Sequence, residues 1–438
     1  MHERLLIAQL LATTLVNSPW HAAALVERAL EVLGKPCHWI EPLVDRLLVV
    51  YPGPVRPRFA VVAEFIQGDA GFCRARLRRD CRFGFVTVSP EMQPGLWIAV
   101  QVPALCTAGD LAHWLGISLG ELQWFANLQG FARRRPQRKL GHYHYRVLSK
   151  HGGAVRLIES PKLRLKTLQQ RVLREILEAV PTHDAAHGFV RARSITTFAA
   201  PHVGRAVAAR MDLQDFFPRI RRPRIAAIFR LIGYPEHVAS LLAGLCTTTT
   251  PPWVWELPDL PPIYRLREAR WLYAEPHLPQ GAPTSPAIAN LCAYRLDCRL
   301  QGLARAADAR YTRYADDLAF SGDHQFARRA KRFLIHAAAT AAEEGFVVHH
   351  RKTRIMRRSM RQHLAGVVVN ERLNVRRSDY DRLKAILINC RRHGPGTQNR
   401  ENHPDFRAHL TGRIAFVAQI NPARGERLRE LFEGIDGW

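Results

Sequence analysis

With 438 residues, 47% of them hydrophobic, the chain is long enough for roughly two to four structural units with cores of their own. Against 38 Asp and Glu stand 64 Lys and Arg, a formal net charge of +26 that points to a polyanionic partner, nucleic acid first. No apolar run approaches the roughly 20 residues that span a bilayer, and the eight cysteines are scattered without a C-x-x-C pair, which excludes a zinc ribbon or disulfide frame and reads as a reduced, cytoplasmic protein.

Residues 1 to about 50 carry the periodicity of two amphipathic helices, Leu5 to Leu15 and Ala24 to Val32. Glu3 and Gln9 interrupt the apolar start, so it does not read as a signal peptide. After a break at Pro52, Pro54 and Pro57, three stretches read as strands: Phe59 to Ala63, Phe83 to Val88 and Trp97 to Val100. This front segment shows no nameable chemistry. From Thr107 the pattern becomes a helix-turn-helix-like pair whose second helix opens with a capping box, Ser118 and Glu121. DNA reading by such a pair is a weaker expectation than scaffolding.

A basic loop, Arg133 to Lys139, leads into two strands around Gly152-Gly153 whose arms carry Lys150 and Arg156. Such a hairpin can fold over a triphosphate and neutralise the charge that develops during transfer. A helix through Leu165, Leu168, Val172 and Ile176 follows and stops before Pro181. An apolar strand then delivers Asp212, with Asp215 and the pair Phe216-Phe217 just beyond. Leu278-Pro-Gln-Gly-Ala-Pro-Thr-Ser-Pro286 has too many Pro and Gly for regular structure, and brings its backbone and the Gln280 amide to a ligand before a helix runs from near Ser285 through Leu300.

Downstream, Arg310 to Gly322 alternates as two short strands with Asp316-Asp317 at the hairpin tip. Adjacent carboxylates repel, and between apolar strands they are best explained by a cation resting on them. With Asp212 as a third ligand they would make an all-oxygen cage for two Mg²⁺ ions roughly 3.5–4 Å apart, suited to in-line phosphoryl transfer. A helix from Phe326 to Glu344 ends at Gly345, His349 to Arg354 reads as a basic strand, and His363 to Asn370 as a strand pair. The C-terminal part reads as a helix capped by Ser378 with Asp381, a polar linker from Gly394 to His403 and two short helices, lined with Arg382, Lys384, Arg391, Arg392, Arg407 and Arg413 as a duplex-gripping surface requires.

Taken in order, Lys150, Gly152-Gly153, Arg156, Gly188-Phe189, Ser194-Ile195, Met211-Asp212, Phe216-Phe217-Pro218, Leu278 to Pro286, Tyr314-Ala-Asp-Asp317 and Lys352-Thr-Arg354 resemble the bacterial reverse transcriptases, and among them the retron enzymes. The resemblance covers about residues 107 to 438 and implies an α+β fold of right-hand polymerase type. Its parts would be an α+β N-terminal extension over 1–106, fingers over 107–205, a palm over 206–370 and a thumb over 371–438. It implies that Asp212 and Asp316 are the principal Mg²⁺ ligands with Asp317 assisting, and that Lys150 and Arg156 hold the triphosphate. Phe217 would exclude a ribose 2′-hydroxyl, Gln280 and Gly281 would line the nucleotide pocket, and Lys352 would donate a proton to pyrophosphate.

The implied activity is RNA-directed DNA synthesis from deoxynucleoside triphosphates on a partner noncoding RNA that serves as template and, through a guanosine 2′-hydroxyl, as primer. An RNA–DNA duplex is then a further partner, and an effector protein in antiphage defence another. A non-retron or intron-derived reverse transcriptase, including one that works without a template, is the neighbouring expectation, and a catalytically silent RNA-binding protein the one from another class. Two motifs tied to the family's own RNA are altered: Phe198-Ala-Ala-Pro-His202 stands where the retron pattern has Asn-Ala-x-x-His, and Leu364-Ala-Gly366 where it has Val-Thr-Gly.

Overall fold

The computed structural model describes residues 2–33, 36–52, 57–77, 92, 101–130, 141–149, 155–257, 266–436 and 438. The chain forms two compact units, Met1–Pro181 with Phe217–Ile288, and Thr182–Phe216 with Ala289–Trp438.

In the first unit the N-terminal helices His2–Val16, Ala22–Leu33, Ile40–Val50, Phe59–Gly68 and Ala70–Leu77 bury a core of their own around Leu11, Leu25, Leu33, Leu47, Val62, Ile66 and Phe72. The stretch from Phe59, expected as a strand, is therefore helix. Val62, Ala63 and Ile66 recur on one helical face, and packing against the preceding helices outweighs the β preference of Val61-Val62. The α+β character expected of residues 1–106 is thus helix alone over the described part of 2–77, while the strand-like stretches near Phe83 and Trp97 lie outside the described residues.

The expected helix pair is present as Ala108–Leu115 and Leu119–Ala126. Both helices open with a capping box, Thr107 with Asp110 as well as Ser118 with Glu121. Its second helix buries Leu122 and Ala126, and Gly244 comes so close that an added Cβ would stand 2.4 Å from the Ala126 carbonyl oxygen, as a scaffold requires. Two antiparallel strands, β1 (Tyr143–Ser149) and β2 (Val155–Pro161), pair from Tyr143 with Pro161 to Ser149 with Val155. The inward side chains Val155 and Leu157 pack with Val254, Trp255, Leu272 and Tyr273.

The second unit is built on one antiparallel sheet formed by β3 (Val207–Asp212), β4 (Arg310–Tyr314), β5 (Asp317–Gly322) and β6 (Arg354–Arg357) in the order β4-β5-β3-β6. Alternation along β5 splits its faces. Phe320 turns toward Phe333 of the helix His324–Glu343, while Ala319 joins the core of the C-terminal helices Arg377–His393, Phe406–Ile420 and Pro422–Glu433. A two-residue turn at Ala365-Gly366, both with positive φ (45° and 87°), joins β7 (His363–Leu364) to β8 (Val367–Val368).

Three local expectations change. His349–Arg354 is not one strand: His350–Lys352 form a 3₁₀ turn and pairing resumes at Arg354, because the chain must bend to bring Lys352 back toward β3. Ser378 is not a helix cap, since the helix starts one residue earlier and its hydroxyl donates to Asp379. The helix through Leu300 is two, Ser285–Cys292 and Tyr294–Ala306. Among the described residues no helix is long and apolar enough to cross a membrane.

Candidate active site

Strand β3 is an interior strand of the second unit's sheet, and its run of small and apolar residues ends at Asp212, which is 6% exposed. Asp212 lies directly opposite Asp317 in the β3–β5 ladder, and Tyr314 opposite Asp317 in the β4–β5 ladder, so Ala315 and Asp316 form the tight turn. Ala315 takes a left-handed φ of 54° to close it. The turn is tied to the end of β3 by the Leu213 N–H donating to the Asp316 carbonyl at 2.9 Å, and the His349 N–H donates to the Asp212 carbonyl at 2.7 Å. Opposed residues of an antiparallel pair project to the same side, so Asp212 and Asp317 share a face at one end of the sheet, with Asp316 on the adjoining turn.

The chain's own cations neutralise much of this charge. The Lys352 ammonium donates to both oxygens of Asp212, at 2.8 and 2.9 Å, and the Arg210 Nε lies 3.6 Å from Asp317 Oδ1. As the side chains stand, the three carboxylates are not a ready-made cage: among the described residues no group of three or more His, Cys, Asp or Glu is placed to hold a metal ion. The donor set nevertheless fits a hard divalent cation. All three are carboxylates, and Asp317 Oδ1 is buried without a hydrogen-bond partner. Burial pushes the Asp317 carboxyl up to about 6, with Arg210 pulling it down and Asp316 and Asp212 raising it further. Sequence reasoning missed Arg210, although it stands two residues before Asp212 on the same strand and hence on the same face.

Beneath the turn lies a buried polar frame that sequence reasoning also missed. Arg313, 0% exposed, donates through Nε and Nη2 to both oxygens of Asp297 at 2.8 and 2.6 Å, and through Nη1 to Asn290 Oδ1 at 2.9 Å and the Ala315 carbonyl at 3.1 Å. Tyr311 donates to the same Asp297 at 2.7 Å, and the Asn290 amide donates to the Gly188 carbonyl at 2.9 Å. Four of the five N–H donors of this guanidinium are engaged by this set, which ties the turn to the helices beside it.

His202, which the retron motif ties to RNA, is 0% exposed with one ring nitrogen 2.7 Å from Ser321 Oγ and the other 2.8 Å from Thr312 Oγ1. Both nitrogens are engaged inside the second unit, so neither is free to contact a ligand directly. The Leu364-Ala-Gly366 motif forms the β7–β8 turn, with Gly366 exposed.

The other candidates belong to the first unit. Arg156 is exposed on β2, opposite Leu148, and Lys150 lies outside the described residues, as does the basic loop Arg133–Lys139. Phe217 is half-buried in the short helix Phe216–Arg219. Gln280 is half-buried and its carbonyl accepts the Glu159 N–H at 2.9 Å, while Gly281 adopts φ +132°, a conformation closed to L side chains.

An antiparallel sheet with acids at the ends of two neighbouring strands, in a chain of charge +26, fits the class of phosphoryl-transfer enzymes that work on nucleic acid. The family model described as "Reverse transcriptase (RNA-dependent DNA polymerase)" matches residues 148–375, a span that contains every candidate site residue. The chain is 41% identical over 331 residues to the retron Mx65 reverse transcriptase of Myxococcus xanthus, covering 75% of this chain and 71% of that one. It is 36% identical to the retron Mx162 reverse transcriptase of the same organism (73% and 65% covered) and 31% identical to the retron Ec86 reverse transcriptase of Escherichia coli (63% and 74% covered). The chain belongs to the reverse transcriptases, and among them to the bacterial retron type. It is an RNA-directed DNA polymerase with a right-hand fold, and enzymes with this domain use divalent metal ions.

Proposed function

We propose that the protein copies a structured noncoding RNA partner into single-stranded DNA by a two-Mg²⁺ mechanism, with that RNA serving also as primer, and that it does so in antiphage defence beside an effector protein. The observation that carries the chemistry is the pairing of Asp212 with Asp317 across β3 and β5, with Asp316 on the turn hydrogen-bonded to the end of β3. Asp212 and Asp316 are the principal metal ligands and Asp317 assists. Bound there, divalent ions would supply charge neutralisation for an in-line attack on the α-phosphate. Lys352, whose ammonium rests on Asp212, is the proton donor to the departing pyrophosphate. Lys150 and Arg156 neutralise the triphosphate, Gln280 and Gly281 line the nucleotide pocket, and Phe217 rejects the ribose 2′-hydroxyl.

Fingers over 107–205, palm over 206–370 and thumb over 371–438 follow the order of the motifs. The two compact units cut across that order, since Phe217–Ile288 groups with Met1–Pro181. Sequencing the DNA that co-purifies with the protein tests the RNA partner. One defined species joined covalently to an RNA supports the proposal, and heterogeneous repeats without an RNA junction overturn it in favour of template-free synthesis.

A further inference from the structure

Within the first unit, a glutamate and a histidine 118 residues apart are both 0% exposed, and no motif of the site accounts for either. Glu159 Oε2 lies 2.8 Å from His277 Nε2, and the Thr250 hydroxyl donates to Glu159 Oε1 at 2.7 Å. His277 Nδ1 lies 2.7 Å from the Glu275 carbonyl, which can only accept, so Nδ1 must carry a proton and donate it. One further proton then sits between Nε2 and Oε2, on either atom. In both forms the pair is neutral overall and every polar atom in it is satisfied, which is the condition for such groups to stay buried.

The backbone around the pair is equally committed. Glu159 N–H donates to the Gln280 carbonyl at 2.9 Å, His277 and Thr248 exchange two main-chain hydrogen bonds at 2.9 and 3.0 Å, and the Leu278 N–H donates to the Ile220 carbonyl at 3.0 Å. A Cβ on Gly281 would meet the Glu159 carbonyl oxygen at 3.1 Å and Ile158 Cγ2 at 3.3 Å. The loop carrying Gln280 and Gly281 is thus clamped onto β2, the strand that carries Arg156 on its outward face. An apolar pair of similar volume would serve packing as well or better. What the polar pair adds is a fixed register between loop and strand.

We propose that Glu159 and His277 are a positioning pair that sets the nucleotide end of the polymerase site by holding loop 278–281 against β2, and so determines affinity for the incoming deoxynucleoside triphosphate. This rests on the polymerase reading and on Gln280 and Gly281 lining the nucleotide pocket. Neither Glu159 nor His277 touches substrate; both act through the loop.

The test is steady-state single-nucleotide incorporation by the full chain on an RNA template with a DNA primer, separating KM for dNTP from kcat, with binding of the template–primer measured in parallel. Glu159→Leu with His277→Leu removes both polar partners together. Its expected signature is a KM for dNTP raised about tenfold or more, kcat within about threefold, template–primer affinity unchanged and a melting temperature close to that of the parent. Glu159→Gln can donate to a neutral His277 Nε2 while accepting from Thr250, so it keeps KM within about twofold. Glu159→Asp, which withdraws the carboxyl by one methylene, raises it severalfold. Should the double leucine variant not fold, the Gln and Asp variants decide: Gln worse than Asp means that charge and not reach matters, and overturns the proposal. An unchanged KM in a folded double leucine variant overturns it as well. A parent chain that incorporates nothing overturns the polymerase reading and this inference together; one that incorporates normally while the variants keep the parent KM overturns this inference alone.

Discussion

Replacing Gly188 by alanine perturbs the acidic turn without touching a carboxylate. An added Cβ would stand 2.5 Å from the Ala315 nitrogen, 3.1 Å from the Tyr314 carbonyl carbon and 3.3 Å from Tyr314 Cα. These are main-chain atoms, so no rotamer change relieves the clash. Reaching ordinary contact near 3.4 Å needs a displacement of about 0.9 Å between the Gly188 loop and the turn. The loop cannot absorb it freely. Arg193 donates to the carbonyls of His183, Asp184 and Ala186, the His187 N–H donates to the Arg313 carbonyl, and Asn290 holds the Gly188 carbonyl. The turn bearing Asp316 and Asp317 therefore moves. A misplacement of about 1 Å at reacting groups costs on the order of 10²-fold in rate, and overpacking about 1–3 kcal/mol in stability. The assay is single-nucleotide incorporation at saturating dNTP and template–primer, alongside thermal unfolding. Gly302→Ala is the control, since its Cβ meets nothing within 4 Å in the helix Tyr294–Ala306, and it should stabilise by roughly 0.5–1 kcal/mol at unchanged rate. A folded Gly188→Ala enzyme within twofold of the parent kcat would refute the reasoning.

His202 links stability to pH. Burial holds its imidazole down at about 3 against an ordinary 6.5, with His187, Arg205 and Arg310 adding to the effect. The folded state thus binds fewer protons than the unfolded one, so its contribution is fully present above pH 6.5 and is lost as pH falls toward 3. The ceiling is on the order of 5 kcal/mol. Denaturant unfolding of His202→Gln should show a shallower loss between pH 7 and 4 than the parent, and an identical slope would contradict the assignment. Asp297→Leu strands the Arg313 guanidinium in the interior and should cost about 3–5 kcal/mol, whereas Asp297→Leu with Arg313→Met should recover most of it. A double-mutant cycle of unfolding free energies without coupling would count against that frame.

The motifs proposed to form the site were legible because each carries its own local signal. An apolar run ended at Asp212, alternation broke at Asp316-Asp317, and Pro and Gly interrupted the segment around Gln280. The supporting side chains were not, because their partners are distant in sequence and their types read as solvated. Arg313 looks like a surface residue of a short strand until Asp297 is brought to it from a neighbouring helix. Glu159 and His277 lie 118 residues apart, and although Lys352 was singled out by resemblance, its ion pair with Asp212, 140 residues away, was not foreseen. His202 was singled out by resemblance, but nothing in the sequence distinguishes a histidine that contacts RNA from one locked between Thr312 and Ser321. The stretch from Phe59 misled for the opposite reason: its β-branched pair has strand propensity, and only the neighbouring helices decide for helix.

The account stands on three carboxylates acting together in nucleotide addition. The most direct measurement is Mg²⁺-dependent deoxynucleotide incorporation on an RNA template by the parent and by Asp316→Asn with Asp317→Asn, each at matched folded concentration. Incorporation by the parent and a loss of at least about 10³-fold in the double variant, with the melting temperature preserved, is the predicted result. Incorporation in the double variant at the parent rate would contradict it.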